Sequence, residues 1–311
     1  MAEPSVSTSP PPAAQSAGLA SGGAGSRRFR GLGNYLALVP FHAYIGLFLI
    51  LPTAIVAVGA FTTAKGEFTL DNLTGLFTDD VFADAFVRSI ELAVATAILG
   101  AIFGGLLAWA VVRSDPNGAL RQFVIAASGV LAQFGGVMLA FAFLATFGFN
   151  ALVTNFFSKT LHVDILSDPS WIYSLAGLVV VYTYFQIPLM LIVFLPSLDG
   201  LRQEWYDASA SLGGGSWSFW RHVGGPILAP AFMGALLLLF TNAFSAYATA
   251  AALISQGAPL VTLQIGAAMQ SEVVLGRENI GKAMALVMIL IVSVVMFIYA
   301  LIQRRASRWV K

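Results

Sequence analysis

SLAGLVVVYTYFQIPLMLIVFLPSL, residues Ser174–Leu198, contains no Asp, Glu, Lys or Arg. As a helix it would measure about 38 Å at 1.5 Å per residue, more than the ~30 Å hydrocarbon core of a bilayer. In lipid every backbone N–H and C=O must be paired within the segment, so a run this long and apolar reads as a membrane-spanning helix. Outward from it the pattern repeats. No charge lies between Arg121 and Lys159, or between Lys282 and Arg304. Of 311 residues, 58% are hydrophobic and 10% charged, whereas a soluble domain carries about 25% charged residues. The expected fold is an all-α polytopic membrane protein.

Six spans are expected, near 38–62, 90–112, 123–148, 172–197, 231–254 and 283–303. No ionic charge falls between His222 and Glu272, which leaves room beyond the fifth span. Ser255–Pro259 interrupts that run, and the remainder, Pro259–Met269, is too short to cross; it reads as a re-entrant or interfacial piece. The six spans place Arg27, Arg28, Arg30, Arg113, Arg121, Arg202, Arg221, Arg304, Arg305, Arg308 and Lys311 on one side. Lys65, Arg88, Lys159, Arg277 and Lys282 fall on the other. The richer side is cytoplasmic by the positive-inside rule, so both termini and the 198–230 segment are expected inside.

Residues 1–33 are rich in Ser, Pro, Ala and Gly and read as a disordered cytoplasmic tail. Residues 34–88 hold the first span and an outer loop, and 89–305 a core of five spans that includes a polar loop at 201–226. A net charge of +1 gives no nucleic-acid footprint, so the bilayer is the partner these basic ends address. Cysteine is absent, which removes disulfides, thiol nucleophiles and Cys-based metal sites.

No residue set points to catalysis. His42, His162 and His222 fall at different levels of the topology and cannot converge on a metal. Gly276–Lys282 has the spacing of a phosphate-binding loop, but Ala283 stands where a Mg²⁺-binding hydroxyl is required and no strand precedes it. The deep parts of the spans carry no ionisable group, which argues against intramembrane hydrolysis and proton-coupled transport. Uncharged polar residues remain: Gln133, Tyr184, Gln186, Asn242 and Tyr247 are candidates for a translocation path. The alternative for each is interhelical hydrogen bonding, worth about 0.6–2 kcal/mol. Gln186-Ile187-Pro188 would bend its helix, and Gly100-x-x-x-Gly104 marks a close-packing surface. Glu91 is expected at the outer edge of the second span, beside a helix N-terminus.

The 198–230 segment is punctuated differently. A short helix over Leu201–Leu212 would align Leu201, Trp205, Ala208 and Leu212. Gly213-Gly214-Gly215 would stop it, and Ser216 would cap a second helix carrying Trp217, Trp220 and Val223. Pro226 and Pro230 would end that helix ahead of the fifth span. The product is a helix–turn–helix suited to docking at the cytoplasmic mouth.

This stretch resembles the "EAA" loop of permease subunits from binding-protein-dependent ABC importers. Asp207-Ala208-Ser209 stands at the Glu-Ala-Ala position, Gly213 at the Gly, and Pro226 and Pro230 at the closing element. Ser211-Leu212-Gly213 and Phe219–Val223 are similar to the branch of polyamine, iron, thiamine and phosphonate permeases. Departures are Asp for Glu, Ser for the second Ala, and Gly-Gly-Gly for the common Gly-Ala-Ser.

The resemblance implies a non-catalytic importer subunit in a bacterial cytoplasmic membrane, moving a small polar solute, polyamine-like or similar. It would pair with a second permease and an extracytoplasmic binding protein. Two ATPase subunits would hold the ATP and Mg, with no cofactor on this chain. Asp207, Ala208, Ser209, Leu212, Gly213 and Trp217 would form the ATPase-coupling surface. The opposing reading, a self-sufficient secondary transporter or channel, requires buried ionisable or ion-coordinating groups that the spans do not offer.

Overall fold

The computed structural model describes residues 39–149, 151–156, 169–254, 260–270 and 277–306. Among them the regular structure is helical, apart from one isolated bridge between Thr62 and Phe68, with turns and short loops joining the helices. In chain order the helices are α1 (Val39–Ala60), α2 (Asp71–Thr78), α3 (Asp80–Val112), α4 (Ala119–Gln133), α5 (Gly136–Phe147) and α6 (Leu152–Phe156). They continue with α7 (Leu175–Asp199), α8 (Gln203–Ser211), α9 (Ser216–Ser245), α10 (Ala248–Leu253), α11 (Val261–Gln270) and α12 (Arg277–Ala306). By length and apolarity α1, α3, α7, α9 and α12 can cross a bilayer, and α4 with α5 would make a sixth crossing if the bent pair counts as one. Residues 1–38, with the expected tail, and 255–259, the expected interruption, lie outside the described residues.

The second span starts further out than its hydropathy shows. Asp79 caps α3 by accepting the Val81 N–H at 2.9 Å, and Asp80 follows in the first turn, where a carboxylate meets the positive helix end. The helix is 33 residues long, about 50 Å, so its outer turns stand beyond a bilayer core. Glu91 therefore does not sit at the helix N-terminus. It lies three turns inside α3, paired at 3.5 Å with Arg88.

Two expected spans are broken. Residues 123–148 form α4 and α5, which meet at 101°. Gly136 takes φ +72, a conformation that an L side chain resists, and its N–H leaves the helical ladder for Thr249 Oγ1 at 2.9 Å. The fifth span begins at Ser216 instead of residue 231, and it ends at Ser245. Pro226 and Pro230 do not terminate the preceding helix. A π turn at Trp220–Gly224, closed by Gly225 N–H to Trp220 O, carries it into the span with Pro226 near the start of the following helical segment. Beyond Ser245 the chain breaks, and the freed Ala246 carbonyl accepts the Tyr182 hydroxyl at 2.9 Å. The two breaks are tied together through Gly136 and Thr249.

The enclosed helix is α7, which runs unbroken through Pro188 and Pro196. A Cβ on Gly100 would stand 2.5 Å from Gln186 Cβ, and one on Gly104 would stand 2.5 Å from Ile187 O. The glycine pair thus brings the backbone of α3 against α7, as its spacing suggested. On the other side α9 closes the contact, with Gln186 Nε2 donating to Leu239 O at 2.8 Å. Val261 N–H donates to buried Ser89 Oγ at 2.9 Å, which fixes the start of α11 on α3. At ten residues, about 15 Å, α11 is too short to cross.

Candidate functional site

The 201–226 loop forms one short helix, α8, then a tight turn and the first turns of α9, and the turn has a defined geometry. Gly213 N–H bonds to Ala210 O and Gly214 N–H to Ser209 O, both at 2.9 Å, while Gly213 sits at φ +79. This pair of bonds, with a left-handed residue after the helix, is the Schellman stop. The three glycines have separate roles. Gly213 supplies the positive φ with open space around it. Gly214 permits close approach, since a Cβ there would meet Ser209 Oγ at 2.8 Å. Gly215 is extended, at φ −81 and ψ 177, and precedes the next helix.

Gly215 rather than Ser216 is the N-cap of α9. Ser216 lies in the first turn, and its hydroxyl is 3.2 Å from that of Tyr206. Across the same turn the Tyr206 ring meets Phe219 edge-on at 5.3 Å, and Phe219 contacts Trp220 at 5.8 Å. Phe219 is buried and Trp220 half-buried against the cluster holding Phe194, Leu198 and Leu228. The loop is therefore anchored through Phe219 and Trp220. Sequence periodicity missed Phe219 and Tyr206 because their contact runs across the glycine turn rather than along one helix.

The inward positions of α8 also differ from the expected stripe. Leu201, Trp205 and Ser209, at i, i+4 and i+8, are half-buried, while Ala208 and Leu212 are exposed. Of the six coupling candidates, Asp207, Ala208, Leu212, Gly213 and Trp217 share the outer surface, and Ser209 turns under toward Gly214. Leu212 is 90% and Trp217 77% exposed, so two large apolar side chains stand clear of the chain on either side of the turn. Asp207 accepts from Gln203 Nε2 at 3.2 Å, and its carbonyl accepts the Ser211 hydroxyl. Where the loop leaves α7, Asp199 is paired with Arg121 of α4 at 2.6 Å.

The path candidates separate into two groups. Gln133 and Tyr247 stand exposed beside the two linked breaks, and Asn242 is exposed near the end of α9. Tyr184 is exposed on α7 and meets Phe143 edge-on at 5.7 Å. Gln186 is not with them: it is fully buried, its amide given to Leu239 O and its Oε1 without a partner. There it holds α7 to α9. Thr249 and Gly136, which join the breaks, were not legible as a pair, since 113 residues separate them. The loop-like glycine-lysine motif resolves as helix at its lysine end, where Lys282 pairs with Glu278 at 2.7 Å and packs on Gly59. Gly276 lies outside the described residues, as does His162.

Known proteins share this architecture. Residues 138–311 match the family model described as binding-protein-dependent transport system inner membrane component. The probable starch degradation products transport system permease protein AmyD of Thermoanaerobacterium thermosulfurigenes is 25% identical over 279 residues, covering 85% of this chain and 91% of that protein. A probable sulfate transport system permease protein, cysT of Nephroselmis olivacea, is 25% identical over 222 residues, 68% of this chain and 71% of its own. Among solved structures, a bacterial ABC transporter involved in the import of the acidic polysaccharide alginate superposes with a TM-score of 0.69 at 17% identity. That superposition covers 91% of this chain and 98% of the other, and it shows the fold.

Proposed function

Because the chain belongs to the family of binding-protein-dependent transport system inner membrane components, we propose that its exposed 201–226 turn is the surface on which partner ATPases act. One observation carries this reading: Leu212 and Trp217 project from a turn whose own anchor residues, Phe219 and Trp220, face the other way. Two exposed apolar side chains on a rigid turn in a polar setting fit insertion into a cleft of another protein. ATP-driven closure of two ATPase subunits would move that turn as a rigid body and pass the motion into α9 through the π turn at Trp220–Gly224. The ATP and Mg belong to those partners, and this chain converts their motion into access. A second permease would complete the path, and an extracytoplasmic binding protein would deliver solute. The loop then lies in the cytoplasm with both termini, as the basic residues suggest.

The solute is proposed to be small, polar and uncharged, in the saccharide class. Tyr184, Tyr247, Asn242 and Gln133 offer aromatic faces and amides, the groups that stack on and hydrogen-bond a hydroxylated molecule. A polyamine would need carboxylates along the path. Among the described residues none lies in α3 beyond Glu91, in α4, α5, α9, α10 or α11, or in α7 before Asp199. The relative named for starch degradation products supports this class.

Reconstitution tests the whole reading. Proteoliposomes holding the chain with its ATPase, second permease and binding protein should take up a labelled oligosaccharide only with ATP. Uptake at an undiminished rate without the ATPase would refute the importer mechanism. ATP-driven uptake of putrescine in place of the saccharide would refute the solute class alone.

A further inference from the structure

On the side of α3 away from the α2 end, a groove of about 290 Å³ runs between α3, α7 and α9. Its walls are apolar, among them Ile102, Gly105, Trp109, Phe194, Trp220 and Phe232. Phe194 and Phe232 meet edge-on at 5.5 Å within it. Gly105 keeps it open. Unlike Gly100 and Gly104, it does not face the α7 backbone, and a Cβ there would meet only side chains, Phe232 at an ordinary 3.5 Å and Met190 at 4.0 Å. Along α3 the lining runs from Ala101 to Trp109, about 12 Å of helix, close to the ~15 Å depth of one leaflet's hydrocarbon. The groove is too small for a helix about 10 Å across, but it matches an extended acyl chain lying parallel to the spans.

Apolar shape alone selects nothing in a membrane, because lipid tails are already in an apolar medium. Selection has to come from the mouth. There the Arg113 guanidinium lies 3.9 Å from the centroid of the Trp109 ring. Among the described residues Arg113 has no carboxylate within 4.0 Å. The nearby acids are otherwise engaged: Asp199, next to Leu198, pairs with Arg121, and Asp115 caps Asn117. An unneutralised cation stacked on the aromatic rim of an acyl-sized groove calls for an anionic headgroup at the cytoplasmic leaflet.

We infer that this groove is a binding site for one acyl chain of an anionic phospholipid, whose headgroup phosphate is held by Arg113. The site lies beside the anchor of the coupling turn, since Trp220 is common to both. The leaflet assignment rests on the cytoplasmic placement of the loop proposed above.

Native mass spectrometry of the full chain, released from micelles doped with equal phosphatidylglycerol and phosphatidylcholine of the same chains, tests it. Arg113 should favour the anionic lipid by about fivefold. Arg113→Gln should lose most of that preference while still retaining lipid, and Gly105→Leu should lose retention of both lipids. Equal retention of the two by the unaltered chain, or no change in either variant, overturns the site. Dimer weakening by Gly105→Leu with lipid retention intact overturns it in favour of a second permease copy. Orientation is read separately, from Asn117→Cys in this cysteine-free chain. Labelling of that thiol by an impermeant maleimide from outside overturns the cytoplasmic leaflet, whatever the lipid preference.

Discussion

Glycine serves two opposed purposes in this protein. At Gly100 and Gly104 it is required by what is near, since a Cβ would run into Gln186 and into the Ile187 carbonyl at 2.5 Å. At Gly213 nothing lies within 4 Å, and the requirement is the dihedral, φ +79. The first pair joins two spans into a unit with no room to give. The second shapes a turn that touches little of its own chain. Close packing and turn geometry are thus carried by the same residue type for different physical reasons, and substitution separates them.

The largest effect is expected at Gly104→Val. The nearest obstruction is backbone, which cannot swing away as a side chain can, so α3 and α7 must part. Overpacking of this kind costs about 1–3 kcal/mol or more, and it strikes the most enclosed helix. Thermal unfolding in detergent should show a clear loss of stability, and the yield of monodisperse protein should fall. An unchanged melting curve would break the contrast, because it would mean that the glycine pair is not what sets the α3–α7 distance.

Gly213→Val should act in the opposite way. A left-handed backbone costs an L residue about 1–2 kcal/mol, and that cost falls on an exposed turn that can reopen locally. Membrane insertion and melting should stay close to those of the unaltered chain, while transport-linked ATP hydrolysis in the assembled importer is abolished. Gly213→Asn, which tolerates the left-handed region, should restore part of it. Normal coupling in the valine variant would remove the turn from the mechanism.

How much of this could be read from sequence follows the same division. Spans were legible because α3, α7 and α12 each contain a long charge-free run, and the turn was legible because three glycines interrupt a helical pattern. The breaks at Gly136 and Ala246 were not. Hydropathy is continuous through both, and the groups that make them tolerable, Thr249 and the Tyr182 hydroxyl, lie far along the chain. In the 201–226 loop, Asp207, Leu212 and Trp217 are exposed, whereas the helical stripe places Leu212 with the inward residues. The inner face of the loop was not legible, because Tyr206 and Phe219 meet only after the turn has formed.

A smaller effect tests the packed side of the comparison from within. Gln186→Leu removes the bond to Leu239 O and with it the unpartnered Oε1, which is itself a cost in an apolar setting. Loss of one such interhelical bond averages about 0.6 kcal/mol, and relief of the orphan oxygen offsets part of it. The variant should melt within a degree or two of the parent and transport normally. A transport defect with unchanged melting would return Gln186 to the path.

The smallest effect is expected two residues from the most sensitive position of the turn. Gly215 is extended, its Cβ position is open, and no side chain caps the helix it precedes. Alanine fits this backbone without strain, and an N-cap alanine in place of glycine costs well under about 1 kcal/mol. Gly215→Ala should therefore keep both stability and ATP-coupled uptake, which Gly213→Val does not. If alanine at 215 instead uncouples a well-folded permease, the space around it is filled by the partner. The third glycine would then be needed, like Gly104, for what is near it, with the near surface belonging to the ATPase.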